Sequence, residues 1–207
     1  MQITNEDNMK LMSRYEDNYF SLAIVDPPYG YGNKKTDILN FRQKKQHRNW
    51  NIAPNENYFN ELFRISKNQI IWGGNYFPYI WNFGGRCFIY WHKGNPVNNF
   101  ADGELAWTSF DKNAKQFNYR YYGNLEGNTS TSKKFHPTQK PVSLYEFCLI
   151  NYAKEGDKIL DTHLGSGSIA IACYNLGFDL TACELDKEYY EAAMKRINNH
   201  KAQKRLF

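Results

Sequence analysis

The sequence has few cysteines, and their arrangement suggests neither a cross-link nor a metal centre. The four cysteines, at positions 87, 148, 173 and 183, form no C-x-x-C pair, and each has apolar or aromatic neighbours. We therefore predict reduced, buried thiols. Among the five histidines, only His92 lies close to a cysteine, Cys87, and this pair matches no familiar zinc spacing, so we predict no metal.

Long apolar runs are also missing. The first ten residues, MQITNEDNMK, contain no apolar signal core, and no stretch approaches the roughly 20 apolar residues needed to cross a bilayer. We predict a soluble, intracellular, cytoplasmic protein without membrane association. A chain of 207 residues without internal repeats fits a single domain over 1–207.

Positive charge is in modest excess and unevenly distributed. The formal net charge is +5, and aromatic residues make up 17% of the chain. The basic residues concentrate in one central stretch and at the end of the sequence: Lys34, Lys35, Arg42, Lys44, Lys45, Arg48, Lys201, Lys204 and Arg205. A polyanionic partner and base stacking on aromatic rings are compatible with this composition. A solvated loop, a solubilising tail and aromatic core edges explain it equally well.

Segments of strand and helix length alternate along the chain. Strands are predicted at 20–25, 68–74, 86–93, 104–110, 158–161 and 179–185. Helices are predicted from Asn55, over 141–153, from a glycine-rich turn to Gly177, and from Asp186. This alternation predicts an α/β fold with a doubly wound, mostly parallel sheet. Two polar segments, 31–54 and 111–135, interrupt it and are candidate recognition segments.

The first predicted strand ends at an acid followed by two prolines. Because proline cannot donate to the hydrogen-bond ladder, the strand must stop there, and Asp26 lies at its C-terminal edge. Proline fixes its own φ and restricts the preceding residue, so the acid is held rigidly. The plain alternative is a strand-ending turn whose acid caps a helix.

A glycine-rich turn links two later strands in the segment KILDTHLGSGSIAIACYNLGFDLTACELD. Gly165 and Gly167 allow a ligand to approach the backbone, and Glu184, 23 residues after Asp161, stands where an acid can accept hydrogen bonds from ribose hydroxyls. This indicates an adenosine-binding site. A tight turn without a ligand is the alternative.

The identity of the nucleotide is narrowed by the acid before the turn. Ala170 completes a dinucleotide pattern, so a dinucleotide remains formally allowed. Asp161 argues against it, because a negative charge near the helix N-terminus disfavours a pyrophosphate there. An acid suits a neutral or cationic group such as the methionine amine of S-adenosylmethionine.

Three motifs together resemble the amino-methyltransferases that modify DNA bases. They are Asp26-Pro27-Pro28-Tyr29, HPTQKP at 136–141 and DTHLGSGS at 161–168. Their circularly permuted order, with the catalytic motif first and the cofactor turn last, is similar to the beta arrangement of that family. The resemblance extends from about residue 20 to about residue 200. It departs from the family at Thr162-His163, where Pro-Phe is common.

The resemblance implies an S-adenosylmethionine-dependent, Rossmann-like enzyme of restriction–modification that methylates double-stranded DNA. Asp26 and Pro27 would each accept an N–H bond from the exocyclic amine, and Tyr29 would stack on a flipped-out base. Aspartate at the head of the motif resembles the adenine-modifying members, which favours adenine N6. Cytosine N4, RNA or a protein amide, and a catalytically silent DNA-binding relative are the alternatives.

The resemblance also implies two sets of binding residues. The cofactor set is Thr138, Lys140, Asp161, His163, Gly165, Ser166, Gly167, Ser168 and Glu184. The DNA set is Lys34, Lys35, Arg42, Lys44, Lys45, Arg48, Trp50, Trp72 and Asn75. Trp91 is a further candidate, although Trp72 and Trp91 suit the core equally well. A homodimer is also allowed.

Overall fold

A computed structural model describes residues 1–30, 52–94, 101–122, 125–126, 129–130 and 139–203. The helices are α1 (Asn8–Met12), α2 (Glu56–Ile65), α3 (Val142–Tyr152), α4 (Ser168–Leu176) and α5 (Lys187–Ala202). The strands are β1 (Gln2–Asn5), β2 (Leu22–Val25), β3 (Gln69–Trp72), β4 (Phe88–His92), β5 (Gly103–Thr108), β6 (Lys115–Asn118), β7 (Tyr121–Tyr122), β8 (Leu125–Glu126), β9 (Thr129–Ser130), β10 (Lys158–Asp161) and β11 (Asp179–Glu184). Two 3-10 turns, Gly74–Tyr76 and Pro78–Phe83, follow β3.

The described strands form one large sheet in the order β1-β11-β10-β2-β3-β5-β4-β6, while β7, β8 and β9 form a small separate sheet. The pairs from β1 to β3, and the pair β4–β6, are parallel. Only β5 runs against its two neighbours within this sheet. The predicted mostly parallel, doubly wound sheet is confirmed.

Alternate residues of the central strands face opposite helical layers. On β2, Leu22 and Ile24 share a core with α3, α4 and α5, whereas Ala23 and Val25 share one with α1 and α2. The four residues of β2 are all buried, because helices cover both faces of the sheet. This burial explains why the strand reads as a continuous apolar run.

The helix boundaries follow the predicted signals. The Asn55 side chain accepts the backbone N–H of Tyr58 at the start of α2, and the Asp186 side chain accepts the backbone N–H of Tyr189 at the start of α5. Helix α4 ends at Gly177, whose φ of 76° lies in the left-handed region. These three predictions are confirmed.

Two regions contain structure that the sequence did not predict. Strand β1 and helix α1 precede the first predicted strand, and Ile3 of β1 pairs with Ala182 of β11. The segment 111–135, predicted as an insertion or mobile segment, contributes β6 to the edge of the large sheet beside β4. Strand β6 is the polar sequence KQFN, so its pairing with β4, rather than an apolar pattern, defines it.

All four cysteines are buried free thiols, as predicted. Among the described residues, none of the helices combines the length and the apolar character that a bilayer-spanning segment needs. The same residues contain no group of three or more His, Cys, Asp or Glu side chains placed to hold a metal ion.

Candidate active site

The carboxyl ends of β2 and β10 lie side by side where the winding of the sheet reverses. From β2 the order continues through β3, and from β10 it continues through β11 in the opposite direction. In open α/β sheets, ligands bind in the crevice outside the strand ends at such a switch point. Asp26 directly follows β2 and Asp161 ends β10, so the fold brings the two predicted motifs together.

Asp26 is held through both of its carboxylate oxygens. Oδ1 accepts the Tyr29 hydroxyl at 2.8 Å, and Oδ2 lies 2.6 Å from Lys140 Nζ. The Asp26 side chain is 14% exposed, and Pro27 beside it is buried. Burial raises the pKa of Asp26 although the Lys140 ammonium opposes that shift. The result is a fixed acceptor with limited access to solvent.

The ring of Tyr29 lies against Tyr76 and Gly73. It stacks on Tyr76 with centroids 5.0 Å apart and planes at 19°. A Cβ added at Gly73 would stand 2.1 Å from Cε1 of Tyr29, and Gly73 has a φ of 70°, so this turn requires glycine on both counts. Tyr29 was expected to offer its ring to a base. In this structure its hydroxyl donates to Asp26 and its ring stacks on Tyr76, while stacking on a base stays a prediction.

Lys140 joins the catalytic motif to the glycine-rich turn. Its side chain, 3% exposed, contacts Asp26 and also lies 3.0 Å from Oε2 of Glu104. Its backbone carbonyl accepts the Ser168 hydroxyl at 2.7 Å, at the start of α4. We expected Lys140 at the methionine end of a cofactor. The structure places its ammonium group on Asp26.

Glu104 is a site residue that the sequence analysis missed. Burial raises its pKa, but Lys140 and Lys93 outweigh burial and hold the pKa of Glu104 at about 2. Because β5 runs antiparallel to β3, the first residues of β5 lie at the same edge as the carboxyl ends of the parallel strands. A search confined to strand ends therefore overlooks Glu104. An acid opening the apolar run ELAWT is the signal that could have found it.

The glycine-rich turn is fixed largely from inside the protein. The N–H of Gly165 donates to Oε2 of Glu184 at 2.8 Å, and Glu184 also accepts the N–H of Asp186 at 3.0 Å. Gly167 has a φ of 75°, and an added Cβ would lie 3.0 Å from the Ile197 side chain. Glycine at 167 therefore allows α5 to pack against the turn, and the approach of a ligand at this residue stays a prediction.

Two serines of the turn also face inward. Ser166 is 5% exposed and Ser168 is 2% exposed. Arg196 of α5 donates to the Ser168 hydroxyl and to the Ser166 carbonyl, each at 2.9 Å. These contacts position the turn, and no pattern in the sequence pointed to Arg196.

The ionisation of Asp161 depends strongly on its surroundings. Its pKa is raised to about 8, mainly by burial and to a smaller degree by the charges of Asp26 and Glu184, against the lowering effect of a bond from the His163 N–H. His163 itself contacts Asn8 and Thr162 through its ring nitrogens. Burial lowers the pKa of His163 to about 4, so the ring is neutral at pH 7.

Three buried polar atoms flank the site without a hydrogen-bond partner in the described structure. They are Trp72 Nε1, Gln139 Oε1 and Ser143 Oγ. Gln139 and Ser143 bracket Lys140 in the sequence, and the Trp72 ring centroid lies 5.6 Å from Lys140 Nζ. Buried polar groups are rarely unpaired in native proteins, so these atoms indicate where a polar ligand would be accommodated.

The remaining predicted residues divide into three groups. Trp72 and Trp91 are fully buried and their rings meet edge to face, so Trp72 lies in the core and not on a DNA-facing surface. Asn75 is exposed beside Tyr76. Several predicted residues lie outside the described ranges: Lys34, Lys35, Arg42, Lys44, Lys45, Arg48, Trp50 and Thr138.

The fold and the site define a class: the chain has the fold of the S-adenosylmethionine-dependent methyltransferases. M1.HpyAVI, solved as a complex with SAM, has a TM-score of 0.62 at 24% identity, with 95% of this chain and 98% of that chain covered. TTHA0409 from Thermus thermophilus, solved with S-adenosyl-L-methionine, has a TM-score of 0.63 at 16% identity, covering 98% of this chain and 95% of that one. The cytosine-N4-specific PvuII DNA methyltransferase has a TM-score of 0.63 at 12% identity, covering 96% and 90%.

Sequence comparisons indicate which methyltransferases this chain resembles. Residues 106–195 match the N6/N4 methylase family, described as DNA methylase. The Type II methyltransferase M.HpaI of Haemophilus parainfluenzae is 25% identical over 92% of this chain and 72% of its own length. M2.DpnII of Streptococcus pneumoniae is 24% identical over 95% and 89%. The chain is therefore similar to the N6/N4 DNA methylases over residues 106–195 and to Type II methyltransferases over most of its length.

Proposed function

We propose that this protein transfers a methyl group from S-adenosylmethionine to the exocyclic N6 amine of adenine in a base flipped out of double-stranded DNA. The observation that carries the proposal is the placement of Asp26. It is a proline-held carboxylate at the switch point of the sheet, linked through Lys140 to the glycine-rich turn. That geometry joins an amine acceptor to a nucleotide site.

The acceptor is matched to the chemical difficulty of the reaction. The lone pair of an adenine amine is delocalised into the ring, so the nitrogen is a poor nucleophile. Accepting its N–H bonds at the Asp26 carboxylate and the Pro27 carbonyl returns electron density to the nitrogen. These acceptors are most effective when they are aimed in advance, and Pro27 and Pro28 fix their direction.

The residues beside the turn fit S-adenosylmethionine. Asp161 offers a buried carboxylate to the cationic methionine end, and Glu184, at the end of β11, suits the ribose hydroxyls. The unpaired atoms of Trp72, Gln139 and Ser143 supply further polar capacity. When bound, S-adenosylmethionine supplies a methyl group on a positively charged sulfur. The residues of the chain bind it, orient it and exclude water.

Adenine is proposed over cytosine because the motif begins with aspartate, as in the adenine-modifying members that the sequence resembles. The cytosine N4 amine presents the same N–H donors, and the cytosine-specific PvuII enzyme shares the fold. The product therefore has to be identified chemically.

We further propose one domain over 1–207, with segments 31–54 and 111–135 reading the DNA. The Lys and Arg residues of the first segment suit phosphate contacts, and Trp50 suits base stacking. The Type II relatives place such an activity in restriction–modification. A homodimer is compatible with this proposal.

The test is transfer of labelled methyl from S-adenosylmethionine to duplex DNA, with the product nucleosides identified by mass spectrometry. We expect N6-methyladenine from the wild type. Asp26→Ala should reduce transfer at least about hundredfold while cofactor binding, measured by calorimetry, is retained. Asp17→Ala, which removes an exposed carboxylate from a surface ion pair with Arg64, is the matched control and should remain active.

Each other outcome supports a different function. If the product is N4-methylcytosine, the target base is cytosine and not adenine. Transfer to RNA alone would indicate an RNA methyltransferase. Cofactor binding without transfer to any nucleic acid would indicate an inactive DNA-binding relative.

A further inference from the structure

Asp26 belongs to a cluster of two acids and two lysines that closes one side of the site. The four-charge cluster consists of Asp26, Lys93, Glu104 and Lys140. Lys140 Nζ lies 2.6 Å from Asp26 Oδ2 and 3.0 Å from Glu104 Oε2, while Lys93 pairs with Glu104 Oε1. The four side chains are between 3% and 23% exposed. With all four ionised, the cluster has no net charge.

Lys140 occupies the acceptor that a substrate amine requires. Oδ1 of Asp26 already accepts the Tyr29 hydroxyl, and Oδ2 is taken by the Lys140 ammonium, itself an N–H donor. Oδ2 can still accept a second bond, but the ammonium draws electron density from it, so an incoming amine bonds there more strongly once Lys140 withdraws. Glu104 is the only other carboxylate in contact with that ammonium in the described structure, so withdrawal toward Glu104 leaves the charge paired.

We propose that Glu104 is a positioning residue: it takes the Lys140 ammonium from Asp26 when the base amine arrives, and Lys93 holds Glu104 in place for this exchange. This inference rests on the proposed function, because it assigns the exchange to the same methyl-transfer site.

The exchange is favourable because the ammonium moves between two carboxylates without becoming unpaired. An unpaired buried charge is strongly destabilising, whereas a charge shared by two acids remains compensated in either position. The two acids are unequal. Lys140 and Lys93 hold the pKa of Glu104 well below its usual value, while burial keeps that of Asp26 above its own. Glu104 is thus ionised in the cluster and able to hold the ammonium when it leaves Asp26.

The exchange also prepares Asp26 to receive a proton. When the base nitrogen gains the methyl group it carries one positive charge and one surplus proton, and the electron pair of the broken carbon–sulfur bond stays on sulfur. The nitrogen then releases this proton to Asp26, from which it passes to water. Withdrawal of Lys140 raises the proton affinity of Asp26, because the nearest cation is then farther away.

Three other titratable groups act on or respond to Asp26. Tyr29 bonds to it within the same turn. Asp161 of β10 and Tyr145 of α3 both have their pKa raised by burial and, to a smaller degree, by the charge of Asp26. All three side chains are retained in every variant below, although the Tyr29 hydroxyl also donates to Glu104 at 3.3 Å and accepts from Lys140 at 3.1 Å.

The test measures the Asp26 carboxyl directly, by carbon-13 NMR titration of the protein without cofactor or DNA. Glu104→Gln removes a repelling acid and leaves Lys140 to Asp26 alone, so the pKa of Asp26 should fall. Lys140→Met removes the neutralising cation, so the pKa should rise. Lys93→Gln should also raise the pKa of Asp26, because Glu104 then attracts Lys140 more strongly. Lys93 is more exposed than Lys140, so this variant tests the proposal even if Lys140→Met does not fold.

Kinetics supply the second measurement. We expect kcat of Glu104→Gln to fall about 10- to 100-fold with the cofactor dissociation constant unchanged, and Glu104→Asp to recover part of the loss. The acid limb of the rate profile should move to lower pH in Glu104→Gln and to higher pH in Lys93→Gln. Asp17→Asn, which removes an exposed acid outside the site and both proposed DNA segments, should change neither measurement.

Equal or same-direction movement of the Asp26 pKa in Glu104→Gln and Lys93→Gln would overturn the proposal. So would an unchanged kcat in Glu104→Gln. If the wild type methylates no base, the proposed function fails, yet the NMR titration still shows whether the two lysines are divided between Asp26 and Glu104 as inferred.

Discussion

Three carboxylates stand at the ends of neighbouring parallel strands, and each is held in a different way. Asp26 bonds to a tyrosine hydroxyl and a lysine, Glu184 bonds to two backbone N–H groups, and Asp161 accepts one backbone N–H. Of these, Asp161 is 2% exposed and has no described cationic partner within ion-pair distance. Its buried position is costly for an anion, which suits a site that receives a cation.

This placement predicts pH-dependent cofactor binding. Burial raises the pKa of Asp161 to about 8, so the free protein holds a proton there at pH 7. A cationic ligand favours the ionised form, so binding should release that proton. We expect affinity for S-adenosylmethionine to rise by up to about tenfold per pH unit between pH 6 and 8, and to level off above. Calorimetry in buffers of different ionisation enthalpy counts the released protons.

Asp161→Asn is the variant that checks the assignment. It should bind the cofactor weakly, with little pH dependence and no proton release. In the absence of cofactor, raising the pH has the opposite effect on the protein: it lowers the folding stability that Asp161 contributes. The folded pKa of Asp161 exceeds the unfolded value near 3.9, so its contribution to stability declines as pH rises from about 4 to 8. The melting temperature of Asp161→Asn relative to wild type should therefore increase over that range. Proton-independent binding by the wild type would contradict the assignment.

Individual residues of the candidate site were predictable where an acidic residue follows or ends a parallel strand. Asp26, Asp161 and Glu184 each end an apolar strand, so parallel pairing alone brings them to one edge. Glu104 and Arg196 were not predictable on that basis. Glu104 begins an antiparallel strand, and Arg196 reaches the turn from the middle of α5. Both depend on tertiary arrangement that no local pattern records.

At the scale of elements, the turn after β3 controls the position of Tyr29. Gly73 combines a left-handed φ with a ring at its Cα, whereas Gly177 at the end of α4 has a similar φ of 76° and no atom within 4 Å of an added Cβ. Comparing substitutions at the two glycines therefore distinguishes the effect of backbone strain from the effect of a clash with the Tyr29 ring.

We expect both Gly73→Ala and Gly177→Ala to lower stability by about 1–2 kcal/mol from the left-handed backbone alone. Only Gly73→Ala should also abolish methyl transfer, because its Cβ would displace the Tyr29 ring and break the hydroxyl bond to Asp26. Thermal unfolding gives the first quantity and labelled transfer gives the second. Full activity in Gly73→Ala would show that the observed Tyr29 position is not the one used in catalysis.

The predictability of elements followed their burial. Strands β2, β3 and β10, buried between two helical layers, show apolar runs that the sequence reveals directly. Strands β1 and β6 lie at the two edges of the sheet, where one neighbour supplies the pairing and polar residues are tolerated. Their sequences, QITN and KQFN, are therefore not distinctive as strands.

At the scale of the whole molecule, the candidate site lies at the carboxyl ends of the parallel strands. The basic segment begins in the sequence shortly after one of these strand ends. Segment 31–54 follows the DPPY motif directly, so its lysines and arginines are tethered next to Asp26 in the sequence. Other lysines lie at the amino ends of the parallel strands, on the opposite side of the sheet from the candidate site. Lys67 precedes β3, Lys154 precedes β10, Lys158 begins β10, and all three are exposed.

DNA binding should distinguish these two groups through its salt dependence. Each lysine that neutralises a phosphate releases counterions, so replacing it lowers the magnitude of the slope of log affinity against log salt by about 1. We expect Lys34→Gln, Lys44→Gln and Lys45→Gln together to lower the slope by up to about 3. The matched control, Lys67→Gln, Lys154→Gln and Lys158→Gln, changes the net charge equally and should leave the slope nearly unchanged. Fluorescence anisotropy with labelled duplex at several salt concentrations measures both. Equal changes in the two triple variants would mean that overall charge, and not the segment beside Asp26, attracts DNA.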